Sequence, residues 1–450
     1  MNTVSEREIA VRGLIEILDN DAYGNLALRE ILGRYEDLSR VQRAFITEVI
    51  NGCIRHLIQL DYIIDTISST PTKKMKPLIL NIMRVSVYQM KFMDKVPVFA
   101  ICDEAVKLAR KFGYAKLSGF VNGVLRNVYR GLDIFLPPAL EEDAIEHMRV
   151  KFSCQQWIAE HFVREIGLES TVALLESVSK PPQVTILANT KQIALDDLQE
   201  ILAKEGIVVN KGKLAKNALI LSKTANISAL PSFLSGYYHV MDESAAFAVN
   251  CVEIAPNSRI IDLCAAPGGK TFAAAYASPD ASILSHDIHK FKLNLIKLGA
   301  KRLGLDNIEV WSGDATKFDV KLASTADLVI VDAPCSGLGT LRRRPDIKLK
   351  KTSESIKELA DLQRRILAVA WQYVKPGGKL LYSTCTISSA ENIDNVNWLL
   401  NTFPLKSVDF SGKVPDVPHF STARDGYIQI LPQYFGTDGF FISVFERVGE

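Results

Sequence analysis

Apolar positions in the first third of the chain recur at helical spacing. Ser5 with Glu8 makes a capping-box pair, after which Ala10, Leu14, Ile17 and Leu18 fall on one face. Ile46, Val49, Ile50, Cys53 and Leu57 form a second stripe. Pro97 suits the first turn of a helix through Ala105 and Leu108, and Phe120, Val121, Val124 and Leu125 form a last stripe. The pattern predicts an all-helical domain over residues 1–135. The stretch "DIFLPPALEED" (133–143) then reads as a linker. After it, helical runs ("CQQWIAEHFVREIG", "LDDLQEILAKEG") mix with short apolar strands ("QVTILAN", "ALILSK"), which predicts a linker and small α+β module over 136–235.

From residue 236 the rhythm changes. The strand-like runs "SRIIDLCA", "ASILSHDI", "NIEVWSGDA", "ADLVIVDAP" and "GKLLYSTCT" alternate with helical stretches such as 289–303 and 354–374. Continuous apolar strands separated by amphipathic helices indicate a parallel sheet covered on both faces, so residues 236–450 are expected to be a doubly wound, Rossmann-like α/β domain.

Composition changes this picture little. A chain of 450 residues with 48% hydrophobic and 23% charged residues is that of a globular protein of two or three domains. Its formal net charge of +2 means that RNA would have to be held by local clusters of Lys and Arg. The seven cysteines (53, 102, 154, 251, 264, 335 and 385) show no CxxC spacing, which argues against a disulfide framework and against a metal cluster. Charged Glu6, Arg7 and Glu8 stand where a signal peptide needs an apolar core, and no run of about 18 apolar residues occurs. A cytoplasmic protein with no membrane segment is expected.

In doubly wound sheets ligands sit beyond the carboxyl ends of the strands. The first such end is "DLCAAPGGKT" (262–271), where Cys264, Ala265, Ala266, Pro267, Gly268, Gly269 and Lys270 would form a cofactor loop. Its glycines let backbone approach a ligand, and the following helix offers free N–H groups. A phosphate-binding P-loop would need glycine where Cys264 stands, and GxGxxG is absent. Asp287, Asp314 and Asp332 end the next three strands. Acids in register suit a neutral or cationic nucleoside better than a phosphorylated one, which points to S-adenosyl-L-methionine, although an aspartate in such a place also serves as a helix cap.

Cys335 follows Asp332 in "DAPC", and Cys385 ends the fifth strand in "YSTC". Neighbouring strand ends open onto one crevice, so the two thiols are expected to face one pocket. Cys53 and Cys102, in helical apolar stripes, read as inert core. Arg342, Arg343, Arg344 and Lys348 follow on a loop where they would hold RNA phosphates. The plainer alternative is a solvated basic patch.

Together, "DLCAAPGGKT", "DAPCSGLGTLRRRPDIK" and "YSTCTISSAEN" resemble the RNA 5-methylcytosine methyltransferases of the Nol1/Nop2/Sun group, over residues 236–450. "EAVKLARKFG" and "GFVNGVLRNV" make the helical part similar to the antitermination factor NusB, with Lys107, Arg126 and Asn127 as weaker RNA candidates. "GYYHVMDESAAFAV" (236–249) matches the family's entry to the catalytic domain, whereas "TILANTKQ" keeps Asn189 but has Leu187 at the family's usual arginine position. The resemblance implies a class I methyltransferase domain that converts S-adenosyl-L-methionine to S-adenosyl-L-homocysteine. It makes Cys385 the nucleophile on carbon 6 of cytosine, Asp332 the acid on the base edge and Cys335 the agent of release. The implied partner is 16S ribosomal RNA before complete subunit assembly, met by a monomer. A tRNA-directed enzyme and a non-catalytic RNA-binding assembly factor are the alternatives.

Overall fold

The computed structural model describes residues 4–18, 24–132, 134–222 and 226–449; Asp133, at the start of the linker stretch, lies outside them. The chain forms two compact units, Met1–Ser179 with Arg344–Lys350, and Lys180–Arg343 with Lys351–Glu450.

The first unit is helical. Helices Glu6–Leu18, Arg40–Arg55, Leu57–Ile67, Pro77–Phe92, Val98–Lys111 and Ser118–Gly131 surround a core that includes Leu14, Ile50, Cys53, Val87 and Leu125. Ser5 Oγ accepts from Glu8 N, the half of the predicted capping box that forms; the Glu8 side chain turns to Arg12 and Lys111 instead. The Glu8 carboxylate itself is buried against Arg12 and Lys111, at 2.9 and 2.6 Å. Helices Ala144–Lys151, Gln156–Ile166 and Leu168–Ser179, which the pattern groups with the α+β module, fall within this compact unit. The prolines interrupt the helix without interrupting the packing: His147 Nδ1 meets Pro138 O at 2.7 Å, and Gln59 N donates to Ser153 Oγ.

The unit is completed by the distant segment Arg344–Lys350. Ile347 and Lys348 are buried there, and Leu349 packs against the helical core. Gln155 Nε2 donates to Leu349 O, and Lys348 Nζ donates to Phe152 O, both at 2.8 Å.

In the second unit, β1 (Val184–Ala188), β2 (Val208–Lys211), β3 (Ala218–Ser222) and β4 (Tyr238–Val240) form an antiparallel sheet in the order β2-β3-β1-β4. The strand β4 comes from the stretch assigned to the catalytic domain; its Tyr238 is buried opposite Ala188. Leu187 is buried in the core shared with the larger sheet, where an arginine would strand its charge. Asn189 Nδ2 donates to Gly236 O and Leu303 O, and so ties this module to the helix Lys290–Leu303.

The larger sheet contains β5 (Arg259–Asp262), β6 (Ser282–Asp287), β7 (Ile308–Ser312), β8 (Ala326–Asp332), β9 (Val374–Thr384), β10 (Leu405–Ser407), β11 (Tyr427–Ile430) and β12 (Phe440–Arg447). Its order is β10-β12-β9-β8-β5-β6-β7, with β11 also paired to β12. The five expected strands, β5 to β9, are mutually parallel. The expectation of a wholly parallel sheet is corrected by β10, β11 and β12, which join antiparallel beyond β9. Among the described residues no helix is long and apolar enough to cross a membrane.

Candidate active site

The crossover at β5 opens the crevice. Between β5 and β6, Gly268 takes φ +111° and caps the helix Gly269–Ala277, a conformation that residues with a Cβ rarely adopt. The loop is latched to the next strand: Asp287 Oδ2 accepts from Ala266 N, and Oδ1 accepts from His289 N. Asp314 Oδ1 accepts from Thr316 N and Oγ1, bonds that hold its carboxyl below the ordinary range. Asp287 and Asp314 thus each close a local turn, and neither caps the helix that follows, which corrects the helix-cap alternative. Asp287, however, also binds the glycine loop.

Asp262, the last residue of β5, is buried and accepts from Thr271 Oγ1 at 2.7 Å. Burial pushes its carboxyl up to about 7, with the charges of Asp332 and Asp287 adding to the effect. Its Oδ1 has no hydrogen-bond partner among the described residues. An orphaned carboxylate oxygen near two further acids is a donor-seeking, anion-repelling arrangement, which fits a cationic nucleoside such as S-adenosyl-L-methionine. The sequence reading used Asp262 only as the start of a motif.

Lys270 is turned to Asp332. Its ammonium is buried, 2.6 Å from Asp332 Oδ2 and 4.7 Å from the centroid of the Phe440 ring, while the Asp332 side chain keeps 38% exposure. Ser383 Oγ donates to the other oxygen, Oδ1, at 3.1 Å. Asp332 is thus fixed from two sides and still open to the crevice. Cys264 is held as a thiol, because burial and the neighbouring aspartates push its pKa up.

The register of β8 on β9 pairs Asp332 with Ser383, so the turns that follow leave the sheet side by side. Cys335 Sγ and Cys385 Sγ are 3.3 Å apart. The shared hydrogen bond with Cys385 raises the pKa of Cys335 well above the ordinary thiol value; burial and the charges of Glu391 and Asp332 raise it further. The two turns also touch through backbone. Gly339 N donates to Cys385 O, and Gly439 N donates to Gly339 O. A Cβ at Gly339 would lie 2.0 Å from Gly439 O and 2.9 Å from Cys385 O, so only glycine fits.

Most of the basic cluster is not a phosphate site. Arg342 is buried and donates to Gly436 O; Arg343 is held between Asp242 at 2.6 Å and Asp438 at 2.9 Å. Lys348 is buried in the helical unit. These side chains answer to protein groups, which corrects the expectation that all four basic residues face RNA; Arg344 is the exposed member. In the same unit Lys107, Arg126 and Asn127 are all exposed, Lys107 beside Asp103 and Glu104 and Arg126 beside Asn122 Oδ1. The polar residues Ser336, Gln363, Glu391 and Asn395, buried behind the two cysteine turns, were missed by sequence reasoning. Ser336 and Glu391 stood within the quoted motifs "DAPCSG" and "SSAEN", which were read for their cysteines; Gln363 and Asn395 left no trace. Among the described residues no group of His, Cys, Asp and Glu is arranged to hold a metal ion.

Comparison with known proteins accounts for every part of the chain. Residues 249–446 match the family described as 16S rRNA methyltransferase RsmB/F, residues 4–130 the NusB family, and residues 155–228 the RsmF/B-like ferredoxin-like domain. The chain is 36% identical to the probable ribosomal RNA small subunit methyltransferase B of Bacillus subtilis (strain 168), with 100% of each chain covered. It is 32% identical to the Synechocystis protein of the same description, over 98% of this chain and 99% of that one. Among solved structures, that of PH0851 superposes with a TM-score of 0.80 at 24% identity, covering 99% of both chains. NSun6 from Pyrococcus horikoshii with SFG superposes with a TM-score of 0.58 at 21% identity, covering 65% of this chain and 98% of that one. Full-length kinship, a NusB-like helical part and a methyltransferase sheet with paired strand-end thiols agree: this chain belongs to the family of ribosomal RNA small subunit methyltransferase B.

Proposed function

We propose that the chain forms 5-methylcytosine in 16S ribosomal RNA through a covalent adduct between Cys385 and the base. Carbon 5 of cytosine is a poor nucleophile while the ring is conjugated. Addition of a thiolate to carbon 6 breaks the conjugation and makes carbon 5 an enamine carbon. S-adenosyl-L-methionine, when bound, supplies the electrophilic methyl group and leaves as S-adenosyl-L-homocysteine. The proton on carbon 5 then leaves to a base, and its bonding electrons restore the ring as the carbon–sulfur bond breaks.

The observation that carries this reading is the 3.3 Å approach of Cys335 to Cys385 beside an acid that is clamped yet open. The two thiols share one hydrogen bond; we assign Cys385, at the end of β9, as the nucleophile and Cys335 to proton handling at release, directly or through a water. Asp332, oriented by Lys270 and Ser383, meets the edge of the base and stabilises the adduct. Cys264, Ala265, Ala266, Pro267, Gly268 and Gly269 form the cofactor loop, with Asp287 on the ribose, Asp314 at the next strand end and Asp262 offering its orphaned oxygen. Arg344, Lys107, Arg126 and Asn127 are exposed and available to meet RNA. We also assign the enzyme to the cytoplasm, as a monomer acting on RNA before the subunit is complete.

The test is a denaturing gel of substrate RNA incubated with S-adenosyl-L-methionine and either variant. Cys335→Ala is expected to leave a protein–RNA band that survives denaturant, and Cys385→Ala none. A band from Cys385→Ala alone would reverse the two roles, and no band from either, with an active native enzyme, would count against the covalent route.

A further inference from the structure

One buried carboxylate grips the turn of Cys335 from the segment that carries Cys385. Glu391 is fully buried six residues beyond Cys385. Its Oε1 accepts from Ser336 N at 2.8 Å and from Gln363 Nε2 at 3.0 Å. Its Oε2 accepts from Ser336 Oγ at 2.5 Å, and that hydroxyl in turn lies 2.6 Å from Thr386 Oγ1. Gln363 Nε2 also donates to Pro334 O, so the residues on both sides of Cys335 are held by this one cluster.

The hub is itself immobilised. Tyr382 OH donates to Glu391 O, and Asn395 Nδ2 donates to the same carbonyl at 3.1 Å. Gln363 Oε1 takes the remaining proton of that amide at 2.9 Å. On the far side of Cys385, Thr384 Oγ1 donates to Asn392 Oδ1 at 2.6 Å. Each contact on the Glu391 carboxylate is made by a donor, so the group is built as an acceptor; burial leaves its pKa raised, the donors offsetting part of that rise.

A buried charge without a cation among these contacts is costly and has to be matched by hydrogen bonds. Here the matching donors are the N–H and hydroxyl of Ser336, next to Cys335, and the amide of Gln363, on the helix Ser353–Tyr373 behind the sheet. We propose that Glu391 is a positioning residue for the methyl-transfer reaction: it fixes the Cys335 turn against the Cys385 turn and so sets the approach of the two thiols on which release depends. The charge contributes as well as the shape, since a fixed anion behind Cys335 favours its protonated form. This inference rests on the covalent reading given above.

The experiment follows the denaturant-resistant adduct over time in the full-length protein with S-adenosyl-L-methionine and substrate RNA, comparing native, Glu391→Gln, Ser336→Ala and Cys335→Ala. An amide at 391 keeps the shape but presents donors to the donors of Ser336 or Gln363. Glu391→Gln is expected to lower kcat at least tenfold, to leave KM for the methyl donor within twofold, and to lengthen the adduct lifetime toward that of Cys335→Ala. Ser336→Ala, which removes one hydroxyl and leaves the carboxylate, should shift both in the same direction by less. In a Cys335→Ala background, adding Glu391→Gln should change the adduct lifetime less than twofold. A purely structural role would instead multiply the two effects, and that result, or a native adduct lifetime in both single variants, overturns the proposal. If Glu391→Gln does not fold, Ser336→Ala decides. If Cys335→Ala itself traps no adduct, the covalent reading has failed, a result separate from any behaviour of Glu391.

Discussion

Lys270 shows how a residue within a recognisable motif can serve a neighbour of that motif. It lies in the glycine loop, yet its ammonium is buried against Asp332, whose carboxylate it shares with Ser383. Lys270→Met keeps the bulk and removes the charge, leaving a half-buried carboxylate with one hydroxyl. Without that anchor Asp332 loses one of its two clamps, so kcat is expected to drop roughly a hundredfold, the scale of losing one preorganised electrostatic partner. Steady-state methylation of substrate RNA checks this, and a native kcat in Lys270→Met would show that the pair does not position Asp332. At this scale the sequence was informative about where Cys335, Cys385 and Asp332 lie, because Asp332 ends a strand and the two cysteines stand in the turns just past strand ends. It was misleading about Arg342 and Arg343. A run of arginines reads as surface, and the carbonyl and carboxylates that bury these two belong to Gly436, Asp438 and Asp242, roughly a hundred positions away in the chain.

At the scale of elements, β5, β6 and β8 were legible because burial on both faces leaves an apolar run that stops at Asp, whereas β7, at the sheet edge with Glu309 and Trp311 exposed, was legible from its flanking turns. The remaining strands carry weaker signals. β4 and β10 are three residues each, β2 is largely exposed, and β12 follows β11 without a tight-turn motif. The antiparallel addition also matters to the site, because β12 brings Gly439 and Phe440 to the crevice, where Gly439 N bonds to Gly339 O and Phe440 faces Lys270. Gly339→Ala is expected to force these backbones apart. The cost should be roughly 1–3 kcal/mol of stability, the usual scale of overpacking. Methyl transfer should fall at least tenfold, from lost thiol registry more than from unfolding. Thermal unfolding measured beside single-turnover methylation would separate the two, and native single-turnover rates in a destabilised protein would rule out a registry effect.

The whole molecule is organised around one returning segment. Lys348 is buried in the helical unit with its ammonium on Phe152 O, and desolvation lowers its pKa to about 8 from an ordinary value near 10.5. Between those two values the unfolded chain holds the proton more tightly than the folded one, so this group makes stability rise as pH increases from about 8 toward 10.5. Thermal unfolding at pH 7.5 and 9.5 should show that rise in the native protein and a smaller one in Lys348→Met, in which a buried charge is exchanged for a thioether of similar length. An equal rise in both would assign the effect to other groups. The same segment has a consequence for synthesis. A chain leaves the ribosome from its amino end, and domains ordinarily close as they emerge. Here the first 179 residues emerge without Ile347, Lys348 and Leu349, which belong to the same compact unit. Until translation has passed codon 350 the nascent helices keep an open apolar seat, so the part of the enzyme made first is among the last to be finished, after the Cys335 turn has been made.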